Sequence, residues 1–194
     1  RVPKEKFKAI LTTLNSLTDY RIVWAYDGEP IQAKSHIYTS KWVPQVDVLY
    51  DNRTVLFFSH GGLKSVKEAT CSSTPAIFMP VFAEQVRNGW LAKNKGYAEV
   101  FNKHTLTSEN LQRTMKRVLD NKSFTIKAAH VTKLLNDKIV HPLFQGAHYI
   151  NRLLRYRGRM PEYFYPRAID SDYFSHLDLD VLIIPVVLIV MVSK

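Results

Sequence analysis

The sequence predicts an α/β fold, a Rossmann-like parallel sheet flanked by helices. Short apolar runs alternate along the chain with segments that place apolar residues at helical spacing. Two of these runs, residues 55–58 and 76–79, end at turn-forming residues immediately before a helical segment. Repeated strand–turn–helix units form parallel sheets with helices on both faces. Because parallel strands end at one edge of the sheet, the two turns can face one ligand.

Residue types justify each predicted element. Residues 4–17 carry an apolar stripe at helical spacing, which predicts a helix. Residues 21–26 are mostly β-branched and aromatic, which predicts a strand. Thr107 or Ser108 can cap the N-terminus of a helix that begins there. Pro142 suits the first turn of the last helix. The other predicted elements are, in chain order, a strand around 37–38, helical turns over 46–50, a strand at 55–58, a helix after Gly62, a strand at 76–79, a helix over 84–95, a strand over 97–101, and helices over 121–136 and 142–156.

Length and composition limit the possible functions. The chain has 194 residues, of which 46% are hydrophobic, and this is enough for one domain with a real core and a tail. Its net charge of +10 suits a partner with phosphates, such as a nucleotide, a nucleic acid or an anionic membrane surface. The single cysteine, Cys71, excludes an internal disulfide and a cysteine-based zinc site, and we expect it to be buried.

The C-terminal part has a different composition. Residues 181–192 contain no polar residue, but this run is shorter than the roughly 20 residues that cross a bilayer. A buried helix is the alternative; the arginine-rich stretch over 151–167 favours a membrane span, since positive residues collect at a membrane's edge. We therefore predict a globular domain over 1–157, a basic juxtamembrane linker over 158–176 and the start of a transmembrane helix over 177–194. The same placement of the arginines argues against a nucleic-acid partner.

Three motifs follow one another in the middle of the chain. They are W-V-P-Q at 42–45, S-H-G-G-L-K-S-V-K-E at 59–68 and P-V-F-A-E-Q-V-R-N at 80–88. In type, order and spacing they resemble the donor-binding signature of UDP-glycosyltransferases, nearest to the membrane-bound UDP-glucuronosyltransferases of animals. The similarity runs from about Pro3 to the last residue. It implies the C-terminal, donor-binding half of a GT-B glycosyltransferase, in which two Rossmann-like halves face a cleft.

The resemblance assigns the first motif to the nucleoside. Trp42 would stack on the uracil ring, as aromatic side chains stack on bases in single-stranded nucleic acids. Gln45 would hydrogen-bond the base or the ribose. The alternatives are that Trp42 anchors the core and that Gln45 is an ordinary surface residue.

The second motif is assigned to the diphosphate and the ribose. Gly61 and Gly62 open a helix whose N-terminus offers backbone N–H groups and partial positive charge to phosphates. His60 can add a donor there. Glu68, two turns along the helix, would accept both ribose hydroxyls; the alternative is an ion pair with Lys64.

Two positions of this site depart from the family pattern. Lys64 stands where the family usually has asparagine; it adds positive charge at the phosphates, so we expect retained or tighter UDP binding. Ser65, the next residue, is included in the UDP-sugar site. By resemblance, Glu84 and Gln85 bind the hydroxyls of the transferred sugar, although an acid at Glu84 could merely complement the helix dipole. Because the family often has aspartate at Glu84, the identity of the sugar is not predicted.

The resemblance implies a function for the whole protein. The enzyme would transfer a hexosyl or glucuronosyl group from a UDP-sugar to a small lipophilic acceptor with inversion, using no metal and no cofactor beyond the UDP-sugar co-substrate. The first strand of this half, the acceptor pocket and the general base would precede Arg1, so no catalytic residue is assigned here and the chain alone is expected to be inactive. The expected location is the endoplasmic reticulum membrane, single-pass with a lumenal globular part, as a possible homo-oligomer. The alternative is a non-catalytic module for UDP-sugar binding or oligomerisation.

Overall fold

The computed structural model describes residues 3–166 and residue 181, and it divides the chain into two compact units. The first unit is Arg1–Asp137 and the second is Lys138–Lys194. This division lies after Asp137, and the domain boundary that composition predicts near Gly158 stays a prediction. Most of the predicted linker and transmembrane segment, apart from residues 158–166 and 181, lies outside the described residues. No helix within the described part is long and apolar enough to cross a membrane.

The predicted elements are present, with bounds that shift by at most two residues. In chain order, the first unit contains α1 (Lys4–Ser16), β1 (Ile22–Ala25), β2 (Ile37–Ser40), α2 (Gln45–Tyr50), β3 (Phe57–Ser59), α3 (Leu63–Cys71), β4 (Ala76–Phe78), α4 (Gln85–Asn94), β5 (Ala98–Val100), a 3-10 turn (Lys103–Thr105), α5 (Ser108–Asp120) and α6 (Ser123–Asn136). Thr107 is the N-cap of α5, where its side chain accepts a hydrogen bond from the backbone N–H of Asn110 at 3.2 Å.

All strand pairs of the first unit are parallel, as predicted, but the strands form two sheets. β1 pairs with β2, and a separate three-stranded sheet has the order β3-β4-β5. Among the described residues no strand hydrogen-bonds both β1 and β3, which leaves a gap between the two sheets.

Helices cover both faces of the three-stranded sheet. β4 is buried along its whole length, and its alternate side chains enter two different cores. Ile77 packs with residues of α1 and α5, whereas Ala76 and Phe78 pack with residues of α3, α4 and α6. This three-layer arrangement is the predicted α/β architecture. Cys71, at the end of α3, is half-buried, so the expectation of a buried residue is wrong.

The second unit contains α7 (Pro142–Arg155) and a 3-10 turn (Glu162–Phe164). Pro142 occupies the first turn of α7, as predicted. The guanidinium carbon of Arg152 lies 3.9 Å from the ring centre of Phe164, a cation–π contact within this unit. None of the residues of α7 is buried.

Candidate functional site

The polar motifs meet at the carboxyl edge of the three-stranded sheet. β3 and β4 are neighbours, and their pairing continues past β4 through a 2.8 Å hydrogen bond from Met79 N to Ser59 O. The loop at 60–62 follows β3, and the loop at 80–84 follows β4. The two loops therefore lie side by side at the edge where open α/β sheets bind ligands.

The loop after β3 is a glycine turn that opens α3. Gly61 has φ +83°, and a Cβ there would lie 3.3 Å from Gln85 O. Gly62 is the N-cap of α3, without a side-chain cap, and the first helical bond runs from Val66 N to Gly62 O at 3.0 Å. Within the described part of the chain, the backbone N–H groups of residues 63–65 have no protein acceptor. The turn thus presents free donors at a positive helix end.

Two cationic or donor side chains stand at this turn. His60 is exposed, and its ring lies over Gly62, where its Nε2 would be 2.7 Å from a Cβ placed on that glycine. Lys64 is also exposed and makes no ion pair among residues 3–166. Free amides together with an unpaired ammonium group suit a phosphate-bearing ligand.

Gln45, Ser65 and Glu68 form a cluster behind the turn. Gln45, the first residue of α2, donates from Nε2 to Glu68 Oε2 and lies 3.4 Å from Ser65 Oγ. The alternative of a Lys64–Glu68 ion pair is not realised, since Glu68 takes the amide of Gln45 as its partner instead. The half-buried carboxylate is therefore oriented by α2, and its second oxygen remains available to a ligand.

Trp42 lies on the surface loop between β2 and α2. Its side chain is 75% exposed, whereas Trp24 packs against the core and stacks on Phe7 with ring centres 5.7 Å apart. The alternative of Trp42 as a core anchor is therefore wrong. Ser40 shapes the loop: its hydroxyl donates to Trp42 O at 2.7 Å and accepts from Trp42 N at 3.4 Å. An exposed indole on a braced loop can stack on a planar ligand.

The loop after β4 leads to Glu84 through a strained residue. Ala83 has φ +52°, a conformation that costs free energy in any residue with a Cβ. Gln85 is only 5% exposed, and its Oε1 accepts from Val81 N at 2.9 Å and from Phe82 N at 3.3 Å. Its carbonyl thus shapes the loop, which the sequence did not reveal. Glu84 is exposed and its side chain makes no capping bond, so its carboxylate is free to bind.

Two further side chains brace the site, and the sequence motifs did not identify either role. Asn88 donates from Nδ2 to Gly61 O at 3.2 Å, so it supports the glycine turn. Lys103 donates from Nζ to Val81 O. Lys103 is 22 residues away from Val81, and only the sheet order that places β5 beside β4 brings the two together.

This site is not identified by an enclosed cavity or by a cluster of metal ligands. Within the described residues, no group of three or more His, Cys, Asp or Glu could hold a metal ion. A cavity of about 200 Å³ lies near the ends of β1 and β2 and contains none of the predicted site residues. We favour the carboxyl edge of β3 and β4 over this cavity, because the free amides and the oriented carboxylate are there and an open groove need not form an enclosed volume.

Solved structures with a similar fold are glycosyltransferases. Spinosyn forosaminyltransferase SpnP matches with a TM-score of 0.63 and 20% identity over 71% of this chain and 35% of its own. Glycosyltransferase VinC in complex with dTDP matches with a TM-score of 0.60 and 18% identity over 64% of this chain and 32% of its own. At this identity the likeness establishes the fold, one half of a GT-B glycosyltransferase.

Sequence relatives are UDP-glucuronosyltransferases. The enzyme of Pleuronectes platessa is 32% identical over 158 residues, which are 81% of this chain and 33% of that protein. Human UDP-glucuronosyltransferase 1A9 is 29% identical over 182 residues, which are 93% of this chain and 34% of that protein. The chain thus spans about a third of the length of these relatives. The family model described as "UDP-glucoronosyl and UDP-glucosyl transferase" matches residues 1–194, and the chain therefore belongs to this family.

Proposed function

We propose that the chain is the donor-binding half of an enzyme that moves a hexosyl or glucuronosyl group from a UDP-sugar to a small lipophilic acceptor, with inversion. The observation that carries this proposal is the juxtaposition of the glycine turn with the Gln45–Glu68 pair at one edge of the sheet, in a chain of this family. The turn suits phosphates, and the paired carboxylate suits vicinal hydroxyl groups.

The nucleoside would lie between α2 and the start of α3. Trp42 stacks on the uracil, and Glu68 accepts hydrogen bonds from the ribose hydroxyls while Gln45 holds its other oxygen. The Nε2 group of Gln45 is engaged by Glu68, and its Oε1, which makes no hydrogen bond within the described residues, can still accept one from the base or ribose. Gln45 would thus orient Glu68 and also contact the nucleoside.

The diphosphate would lie over the N-terminus of α3. The unpartnered amides of residues 63–65 donate to the phosphate oxygens, and His60 and Lys64 add a donor and a positive charge. The glycosyl group would then reach the next loop along the sheet edge, where Glu84 accepts from its hydroxyls. The amide nitrogen of Gln85 makes no hydrogen bond within the described residues, so it can supply one donor to the sugar.

The rest of the enzyme would supply the acceptor pocket and the general base. Displacement at the anomeric carbon with inversion requires a base that removes the acceptor's proton, and we place it in the part of the relatives' length that this chain does not span. The split sheet supports a further strand before residue 1. The orders β2-β1 and β3-β4-β5 become the doubly wound order when one strand is inserted between β1 and β3.

Anchoring and location complete the proposal. The run at 181–192 would begin a membrane helix that holds the globular part on the lumenal side of the endoplasmic reticulum membrane. The arginine-rich stretch that precedes it supports a position beside a membrane surface, since positive residues interact with anionic headgroups. The lumenal orientation rests on the family resemblance alone.

Calorimetric titration of the purified 194-residue chain with UDP and with UMP tests the donor site. We expect UDP to bind about tenfold or more tightly than UMP, because hydrogen bonds to a charged group contribute about 1.5–3 kcal/mol. The proposal is wrong if UDP does not bind at millimolar concentration. Equal affinity for the two nucleotides would contradict the placement of the diphosphate at the turn.

A further inference from the structure

We propose that Lys103 is a positioning residue for the transferred sugar, acting through the backbone of Val81. This inference rests on the proposed function, because it concerns the loop that carries Glu84. No part of the three donor motifs contains Lys103, which lies after the next strand of the sheet.

The backbone around Lys103 is held in place by its own turn. Phe101, just before the turn, is buried, and its N–H donates to Phe78 O at 2.8 Å, which ties it to β4. Asn102 accepts a hydrogen bond at Oδ1 from His104 N at 2.9 Å and so caps the 3-10 turn. Lys103 therefore projects from a fixed point beside the loop that follows β4.

Val81 is held at both of its backbone polar groups. Gln85 Oε1 accepts from its N–H at 2.9 Å, and the ammonium group of Lys103 donates to its C=O. A hydrogen bond from a charged donor is stronger than one between neutral groups. The two contacts fix the start of the loop from opposite sides.

The loop needs such support because it contains a strained residue. Ala83, two residues after Val81, has φ +52°, and strained conformations of this kind persist only when the surrounding structure holds them. Glu84, the next residue, is exposed and has no capping bond of its own. The position of its carboxylate therefore depends on how well the preceding residues are held.

Lys103 is also free of competing partners. It forms no ion pair with a carboxylate among residues 3–166, so its charge is committed to Val81 O alone. The nucleotide contacts come from α2 and α3, which Lys103 does not touch through any hydrogen bond. Loss of Lys103 should consequently weaken the binding of the sugar and leave the affinity for the nucleotide nearly unchanged.

Titration of the 194-residue chain with UDP, UDP-glucose and UDP-glucuronate tests this split. For Lys103→Met we expect UDP affinity within about twofold of the wild type and UDP-sugar affinity about 5- to 10-fold weaker, in line with the loss of one charge-assisted bond. Lys103→Arg should restore most of the UDP-sugar affinity. The matched control is Lys116→Met, since Lys116 is exposed on α5 and its side chain makes no hydrogen bond or ion pair within the described part of the chain.

Two results would overturn the inference. One is an unchanged ratio of UDP-sugar to UDP affinity in Lys103→Met. The other is equal weakening of all three ligands with a lowered Tm, which would mean a general structural role. Failure of the wild-type chain to bind UDP would instead refute the proposed function itself, and the two failures are therefore distinguishable.

Discussion

At the scale of single residues, the structure decides between alternatives that the motifs leave open. Trp42 is exposed on a loop and is not part of the core, and Glu68 pairs with Gln45 and not with Lys64. Both outcomes leave a group available to a ligand: an indole face and a carboxylate oxygen. Lys64 is left without an ion-pair partner among the described residues. These three side chains carry the most direct predictions.

Replacement of Trp42 by alanine should weaken UDP binding by about 5- to 150-fold, because stacking on one base is worth about 1–3 kcal/mol. UDP should also quench the fluorescence of the wild-type chain and should quench Trp42→Ala much less. The control is Trp90→Ala, since Trp90 is half-exposed on α4, where its ring contacts the ammonium group of Lys93. If both alanine variants bind UDP as the wild type does, Trp42 does not contact the base.

Lys64→Asn should lower UDP affinity and reduce its salt dependence. An exposed ammonium at the phosphate turn attracts the diphosphate, and salt screens this kind of contact between accessible charges. Isothermal titration at low and at physiological ionic strength measures the effect. Lys67→Asn, one turn along the exposed face of α3, is the matched control. An unchanged salt dependence in Lys64→Asn would contradict a role for this lysine at the phosphates.

At the scale of elements, the sequence predicts the features that depend only on neighbouring residues. The strands, the glycine turn and the capping threonine of α5 follow from residue types within a few positions, and all are present. The hydrogen bonds that hold the two loops of the site do not follow from local sequence. Asn88 supports Gly61, and Lys103 supports Val81, because parallel neighbours bring distant loops together. A contact between loops depends on strand order, which no single segment encodes.

Burial of Tyr97 beside β5 gives the first unit a pH-dependent stability. Tyr97 is 2% exposed, its hydroxyl lies 2.8 Å from Thr70 Oγ1, and burial raises its pKa above the usual value near 10. The neutral phenol is thus favoured in the folded state. Its contribution is complete below about pH 10, where the unfolded phenol ionises, and declines as the pH rises towards the folded pKa.

Tyr97→Phe tests this effect. At pH 7 the variant should be less stable by about 1 kcal/mol, because it loses the hydrogen bond to Thr70. Urea unfolding between pH 7 and pH 11 should show this difference shrinking above pH 10, since the phenylalanine cannot ionise. A difference that stays constant over the whole range would show that Tyr97 does not titrate with unfolding.

At the scale of the whole molecule, two features of the structure do not follow from the sequence patterns. The helix α7 carries an amphipathic pattern yet buries none of its residues. The five strands of the described chain form two parallel sheets, β1-β2 and β3-β4-β5. Periodicity predicts that a helix has an apolar face and that strands are parallel, but it does not say what covers the face or which strands are adjacent.

The central claim is that the edge of the sheet at β3 and β4 binds the UDP group. The most direct test is an NMR titration of the nitrogen-15-labelled chain with UDP, which follows every assigned backbone amide. We predict the largest shifts at residues 61–65, where free amides meet the phosphates, and at residues 42, 43 and 45, beside the ring current of the uracil. Shifts confined to the cavity residues at 26, 28, 29, 31 and 39–41, with residues 61–65 unchanged, would contradict this claim.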